Sequence, residues 1–248
     1  MLRKATLLFL GLFPAVILHA SDYIVPDELP IQWGSIITLS GGAAFATAGQ
    51  NQYLYPEPLP SYQYYTHDAN NSSMGSVELF FGLQKPINPY VLGEWGLGIG
   101  WVSDAEVSGY ATVNGYLNAY SYSYQVNHGR LELKGRLIGN TLQPVQPYIS
   151  GSLGVGFNNS HHYEPALLNA NAPNPLWYVD HTTIALPYSF GVGVQTNISP
   201  HWQVAAGYQF ADLGKSYLDG DGTVLTKGLI LTHFYTNEVI ASISYTFS

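Results

Sequence analysis

The chain has 248 residues, of which only 10% are charged and 14% aromatic, with 26 glycines, 20 tyrosines and no cysteine. The missing thiols exclude disulfide scaffolding, thiol catalysis and thiolate metal sites. Sixteen acidic against eight basic residues give a formal charge of −8, a poor match for nucleic acid, and so few charges are unlike a soluble surface.

The first twenty residues open with Arg3 and Lys4, continue as an apolar run and reach Leu18-His19-Ala20 before Ser21. A basic start, a short apolar stretch and a small residue at the cut describe a cleaved export signal, too short to serve as a spanning helix. Removing it leaves six basic residues against sixteen acidic ones.

From Trp33 onward, eight strand-like stretches follow, each with apolar and polar residues alternating at a period of two. The first covers residues 33–47, with Ile37, Leu39, Ala43 and Phe45 on one face. A link over 48–73 carries Pro56, Pro58 and Pro60, which oppose regular pairing. The second strand, 74–84, sets Val77, Leu79, Phe81 and Leu83 against Glu78, and residues 86–89 turn the chain. The third, 90–103, sets Val91, Trp95, Leu97, Ile99 and Trp101 against Glu94, Gly96, Gly98 and Gly100.

Residues 104–119 read as a longer link, 120–140 contain the fourth strand, and 141–144 form a short turn. The fifth strand, 145–158, alternates Ile149, Leu153, Val155 and Phe157 with Ser150, Ser152, Gly154 and Gly156. A third long link covers 159–181. The sixth strand, 182–197, alternates Ile184, Leu186, Tyr188, Phe190, Val192 and Val194 with small or polar residues before a turn at Ser199-Pro200. Trp202, Val204, Ala206, Tyr208 and Phe210 mark the seventh strand, 212–232 a fourth long link, and 233–248 the last strand.

Short turns alternating with long links predict an all-β fold, an eight-stranded antiparallel transmembrane barrel with short periplasmic turns and long extracellular loops. A soluble barrel would reverse the two faces. The export signal and the terminal aromatic favour the membrane form, with the apolar face toward lipid and the polar face toward the lumen. On this reading residues 1–20 are a signal, 21–32 a periplasmic segment and 33–248 the barrel.

The segment GVGVQTNISPHWQVAAGYQFADLG over 191–214, with Thr236-Asn237-Glu238-Val239 and the terminal Tyr245-Thr246-Phe247, resembles the small outer-membrane barrels of the OmpA-like and opacity-like type. The resemblance implies that fold, a Gram-negative outer-membrane location, and recognition of the C-terminal strand by the barrel-assembly machinery. One departure is that Phe247 is penultimate.

The fourth strand carries the densest charge, in HGRLELKGRLIG. Leu131, Leu133 and Leu137 share one face and Arg130, Glu132, Lys134 and Arg136 the other. A cation facing the bilayer midplane costs about 2 to 4 kcal/mol, so these residues are expected to face the lumen. With Glu78, Glu94 and Glu238 they form a candidate lumenal ion network, either a structural plug or a gate along a narrow path. The inward glycines leave room there for long side chains or for a water-filled cavity.

No catalytic set is recognisable; His233 beside Thr232 and Thr236, and His128 near Arg130, match no pattern. His161, His162 and His181, or His67 with Asp68, could bind a divalent transition metal but read more simply as solvated loop residues. Asp219-Gly220-Asp221-Gly222 lacks the later Glu of a calcium loop and reads as a turn. Neither a metal nor a cofactor is expected. Tyr53, Tyr55, Tyr62, Tyr64 and Tyr65, with Tyr163, Trp177 and Tyr178, suit either recognition of a surface or loop packing. The expected role is that of a monomeric, non-enzymatic barrel, in contact with outer-membrane lipid, that is structural or binds a host or environmental surface; a narrow channel is the alternative, and a lipid-modifying enzyme a third reading.

Overall fold

The computed structural model describes residues 34–56, 61–68, 71–139, 142–222 and 227–247; the expected export signal and the segment after it lie outside them. Among the described residues there is no helix. Eight long strands follow one another around a ring: β1 (Gly34–Thr47), β4 (Asn71–Asn88), β5 (Val91–Val113), β6 (Tyr116–Gly139), β7 (Val145–Leu167), β9 (Tyr188–Asn197), β10 (Trp202–Asp212) and β13 (Tyr235–Phe247). Every neighbour pair is antiparallel, and β13 closes on β1 from Phe247 opposite Ser35 to Thr236 opposite Ala46. Closure leaves no unpaired edge, the condition a sheet must meet in hydrocarbon.

The outer face explains where the ring sits. Leu39, Phe81, Trp95, Leu97, Ile99, Leu131, Leu133, Ile149, Leu153, Ile184, Phe190, Val192 and Val239 are all exposed, Leu133 and Phe190 at 68% and 66%. Such a continuous apolar exterior belongs in lipid. β10 frames Val204 and Ala206 between Trp202 near the short-turn end and Tyr208 and Phe210 nearer the other. This is the aromatic girdle of a membrane barrel.

The outward residues of β1, β4, β5 and β7 are the apolar ones expected from the alternation. The links differ from expectation. Residues 104–119 are not a loop: β5 and β6 run on and meet in a two-residue turn at Asn114-Gly115, with φ of +47° and +91°. Positive φ at both central positions is the type I′ geometry whose twist matches paired strands, and Asn-Gly is its preferred sequence.

β7 likewise continues through Leu167, nine residues past its expected end at Asn158. The first link contains β2 (Gln52–Leu54) and β3 (Gln63–His67), paired with each other, and β3 adds to the upper half of β5. The sixth strand is broken at Leu186-Pro187, which separates β8 (His181–Ala185) from β9, and the last link holds the hairpin β11 (Ser216–Asp219) and β12 (Lys227–Leu231). Asp219 is the last residue of β11 and pairs with Lys227, and Gly220 to Gly222 leave the strand after it, with Gly222 at φ +78°.

Two bulges divide the ring into storeys. Between Val102 and Ala105 β5 carries one residue more than its partner, and between His161 and Glu164 β7 does the same, with His162 at φ +54°. An extra residue reverses which parity points inward. On β5 the inward set changes from Gly98, Gly100 and Val102 to Ala105, Val107, Ala111 and Val113. Below the bulges the interior is polar; above them it is an apolar core.

Candidate functional site

β6 has no such slip along its inward face, so one alternating row reads the whole interior: Tyr120, Tyr122, Tyr124, Val126, His128, Arg130, Glu132, Lys134, Arg136 and Ile138. Its lower part holds the ion pairs. Lys134 Nζ lies 2.5 Å from Glu78 Oε1, Arg130 Nη2 lies 3.4 Å from Glu78 Oε2, and Arg130 Nε lies 3.2 Å from Glu132 Oε2. Arg136 pairs with Glu94 at 3.6 Å and stacks 4.5 Å over the Tyr148 ring. Gln84 donates to Glu94 at 2.9 Å and Ser152 to Glu132 at 2.9 Å.

The backbone explains how these groups meet. Glu78 is on β4 and its cations on β6, two strand spacings or roughly 10 Å apart. Between them β5 presents Gly96, Gly98 and Gly100 inward. A methyl group added at Gly98 would come 3.2 Å from Glu132, and one at Gly100 3.0 Å from Arg130 Nε. The glycines form a gutter in which long side chains lie flat across the strand. Gly193 and Gly207 give way in the same manner to the Tyr148 hydroxyl, and Gly156 to His128. Of the two readings of the inward glycines, the one with long opposing side chains describes these positions.

Glu238, on β13, is fully buried and accepts a hydrogen bond from Thr236 at 3.1 Å, but it belongs to none of these ion pairs. Glu78, Glu94, Arg130, Glu132, Lys134 and Arg136 are thus joined pairwise, and Glu238 shares their interior and attracts Arg130 through space without an ion-pair contact.

Above the charges, His128 Nδ1 lies 2.7 Å from Asn158 Oδ1, and Asn158 donates to the Leu213 and Lys215 carbonyls. This tie draws the segment after β10 over the lumen. Leu213, Leu218, Leu229, Leu231 and Phe234 then pack with Val102, Val107, Val126 and a cluster of tyrosines into one buried core. Tyr65 is its hub. Its hydroxyl donates to Gln63 at 2.6 Å and lies 2.7 Å and 2.9 Å from the hydroxyls of Tyr120 and Tyr178. Tyr120 also donates to Gln63. The rings of Tyr122, Tyr163 and Tyr178 stack and tilt around it. Burial pushes the Tyr120 hydroxyl up to about 12 and raises that of Tyr65 well above its ordinary 10.0.

Tyr65, Tyr163 and Tyr178, grouped in the sequence with possible recognition tyrosines, are therefore core residues, whereas Tyr53, Tyr55 and Trp177 are exposed. His161 and His162 lie with ring centroids 4.8 Å apart, but the other histidines among the described residues do not join them. His161 pairs with Asp104 at 3.4 Å, His181 with Asp219 at 3.0 Å while stacking on Tyr217, and His67 meets Asn51 at 3.0 Å. His233 lies 2.7 Å from buried Asp212 and is stacked on Tyr235. Among the described residues no three metal-ligating side chains come together.

The sequence reading missed Gln63, Tyr120, Tyr122 and Tyr124. The signal for the three tyrosines is the alternation that runs unbroken from Tyr120 to Ile138.

No protein-family model matches the sequence, and no curated protein matches it. Among solved structures, the chain is similar to Neisserial surface protein A, with a TM-score of 0.45 and 12% identity over 86% of this chain and 97% of that one. It is similar to the outer membrane protein OprG from Pseudomonas aeruginosa, at 0.45 and 14% over 86% and 96%. A third similar structure is the outer membrane protease OmpT from Escherichia coli, at 0.44 and 9% over 89% and 99%.

Proposed function

We propose that this chain is a Gram-negative outer-membrane protein, exported by its N-terminal signal, that anchors a rigid extracellular platform for contact with a host or environmental surface. The closed ring is complete as a single copy, and β13 is the segment the barrel-assembly machinery would read. The observation that carries the proposal is the two-storey filling of the interior: paired charges on β4, β5 and β6 below, the tyrosine core above. An eight-stranded barrel has an interior that side chains can fill, and this one commits both levels to packing. The exposed aromatics Tyr53, Tyr55 and Trp177 stand on the platform, where aromatic side chains supply most contact energy. The proposal assigns the chain no enzymatic step.

Two measurements test it. Refolded protein in a planar bilayer should be silent; stable current steps altered by Arg136→Ala would replace the plugged barrel with a narrow pore. Cells displaying the chain should adhere to a surface and lose that adhesion when Tyr53, Tyr55 and Trp177 are replaced by Ser. Equal adhesion with and without the chain would refute the surface role.

A further inference from the structure

The outward side of the platform changes character where the strands leave the apolar band. Below the bulges β5 shows Trp95, Leu97, Ile99 and Trp101; above them it shows Glu106, Ser108 and Tyr110. The neighbouring strands continue the change. Ser108 sits opposite Ser123, which sits opposite Glu164; Tyr110 sits opposite Ser121; and Glu106 sits opposite Gln125. Two adjoining hollows of about 310 and 360 Å³ indent this face and share Ser123 and Glu164 as a common wall. Each is of the size that holds small ligands.

The side chains of Glu106, Ser108, Ser121, Ser123, Gln125 and Glu164 make no hydrogen bond to the rest of the protein among the described residues. Their capacity is turned outward, on three neighbouring strands, β5, β6 and β7, held by their ladders. No Lys or Arg lines either hollow. Serine hydroxyls and the Gln125 amide both donate and accept, the His162 ring adds a further polar edge, and the three carboxylates, Glu106, Glu164 and Asp68, only accept. Against an ammonium group the donors would be idle, and against a phosphate or sulfate the carboxylates would repel. A ligand carrying many hydroxyls uses both kinds of group, and the half-exposed ring of Tyr110, 39% accessible, offers an apolar face to a sugar ring.

We infer that these joined hollows bind a neutral oligosaccharide. The inference rests on the surface-contact role proposed above and specifies its ligand. The test uses the full chain refolded into lipid nanodiscs, titrated calorimetrically with neutral hexose and N-acetylhexosamine oligosaccharides, with sulfated ones, and with oligolysine. A neutral oligosaccharide should bind, and Glu164→Gln combined with Ser123→Ala should weaken it by about tenfold or more, the loss of one or two hydrogen bonds. Tyr110→Ala should weaken it comparably. The affinity should hold within about twofold at roughly 0.5 M salt, where charge attraction is screened.

Absence of neutral-sugar binding by folded protein, or unchanged binding in both variants, overturns the inference. Tight, salt-sensitive oligolysine binding in its place would assign the hollows to a cationic partner. If cells adhere through this chain but Glu164→Gln changes nothing, the surface role stands and the sugar site falls. Sugar binding without adhesion does the reverse.

Discussion

Glu78→Gln isolates the lumenal pairing. Glu78 receives Lys134 at 2.5 Å and Arg130 at 3.4 Å, and all three side chains are under a tenth exposed. Without it Arg130 keeps Glu132 at 3.2 Å, but Lys134 is left as a buried charge whose remaining carboxylates, Glu132 and Glu94, act on it without ion-pair contact. Breaking such a pair costs about 3 to 5 kcal/mol, and the surviving Arg130 contact places this case near the lower figure. That is a large part of a domain stability on the order of 5 to 15 kcal/mol.

Replacing both partners, as Glu78→Leu with Lys134→Met, removes the stranded charge and should be close to neutral. The assay is urea unfolding of protein folded in lipid vesicles, followed by the emission of the lipid-facing Trp95 and Trp101. A Glu78→Gln protein within about 1 kcal/mol of the parent, or a double variant as weak as the single one, would mean that Glu78 and Lys134 do not depend on each other.

Other outcomes follow from the same geometry. Gly100→Val should fill the gutter beneath Arg130 and cost about 1 to 3 kcal/mol by overpacking, again measured by urea unfolding. Tyr65→Phe removes the hub hydroxyl and should cost about 1 to 3 kcal/mol, felt first above the bulges, so limited proteolysis should cut within residues 163–185 and 213–234 while the ring strands β9 and β10 and the rest of the lower barrel resist. Alkali should act on the same core. The Tyr120 hydroxyl ionises at about 12 when folded against 10.0 ordinarily, so its contribution is complete below pH 10 and is lost as the pH climbs toward 12. Tyrosinate absorbance should rise together with proteolytic sensitivity in that window, and Tyr120→Phe should shift the onset of sensitivity upward.

The strand count and the lumenal face of β6 were legible because alternation is unbroken there: Leu131, Leu133 and Leu137 against Arg130, Glu132, Lys134 and Arg136. The platform was not legible as strand, for a specific reason. At residues 103–104 and again at 162–163 one inserted residue reverses the phase, so a reader following a fixed parity sees the pattern end. The tyrosines illustrate a second limit. Tyr55 and Tyr65 have similar polar and aromatic neighbours in the sequence, but only Tyr65 is placed by the β3–β5 pairing over the axis of the ring. Glu238 illustrates a third: parity put it inside, but which inward groups touch depends on which strands flank a glycine gutter, a matter of order around the ring.

That gutter bears on the order in which the barrel is assembled. The four ion pairs of the lumen described above join residues between Glu78 and Arg136, at separations of at most 56 residues along three consecutive strands. The seam is bridged by Thr38 and Ser244, 206 residues apart. Short-range contacts form before long-range ones, so a β4–β5–β6 meander can neutralise its own cations while the sheet is still an open ribbon. The chain thus carries its most membrane-averse side chains into the bilayer already masked, and leaves for the final step a seam that needs only backbone pairing and two hydroxyls.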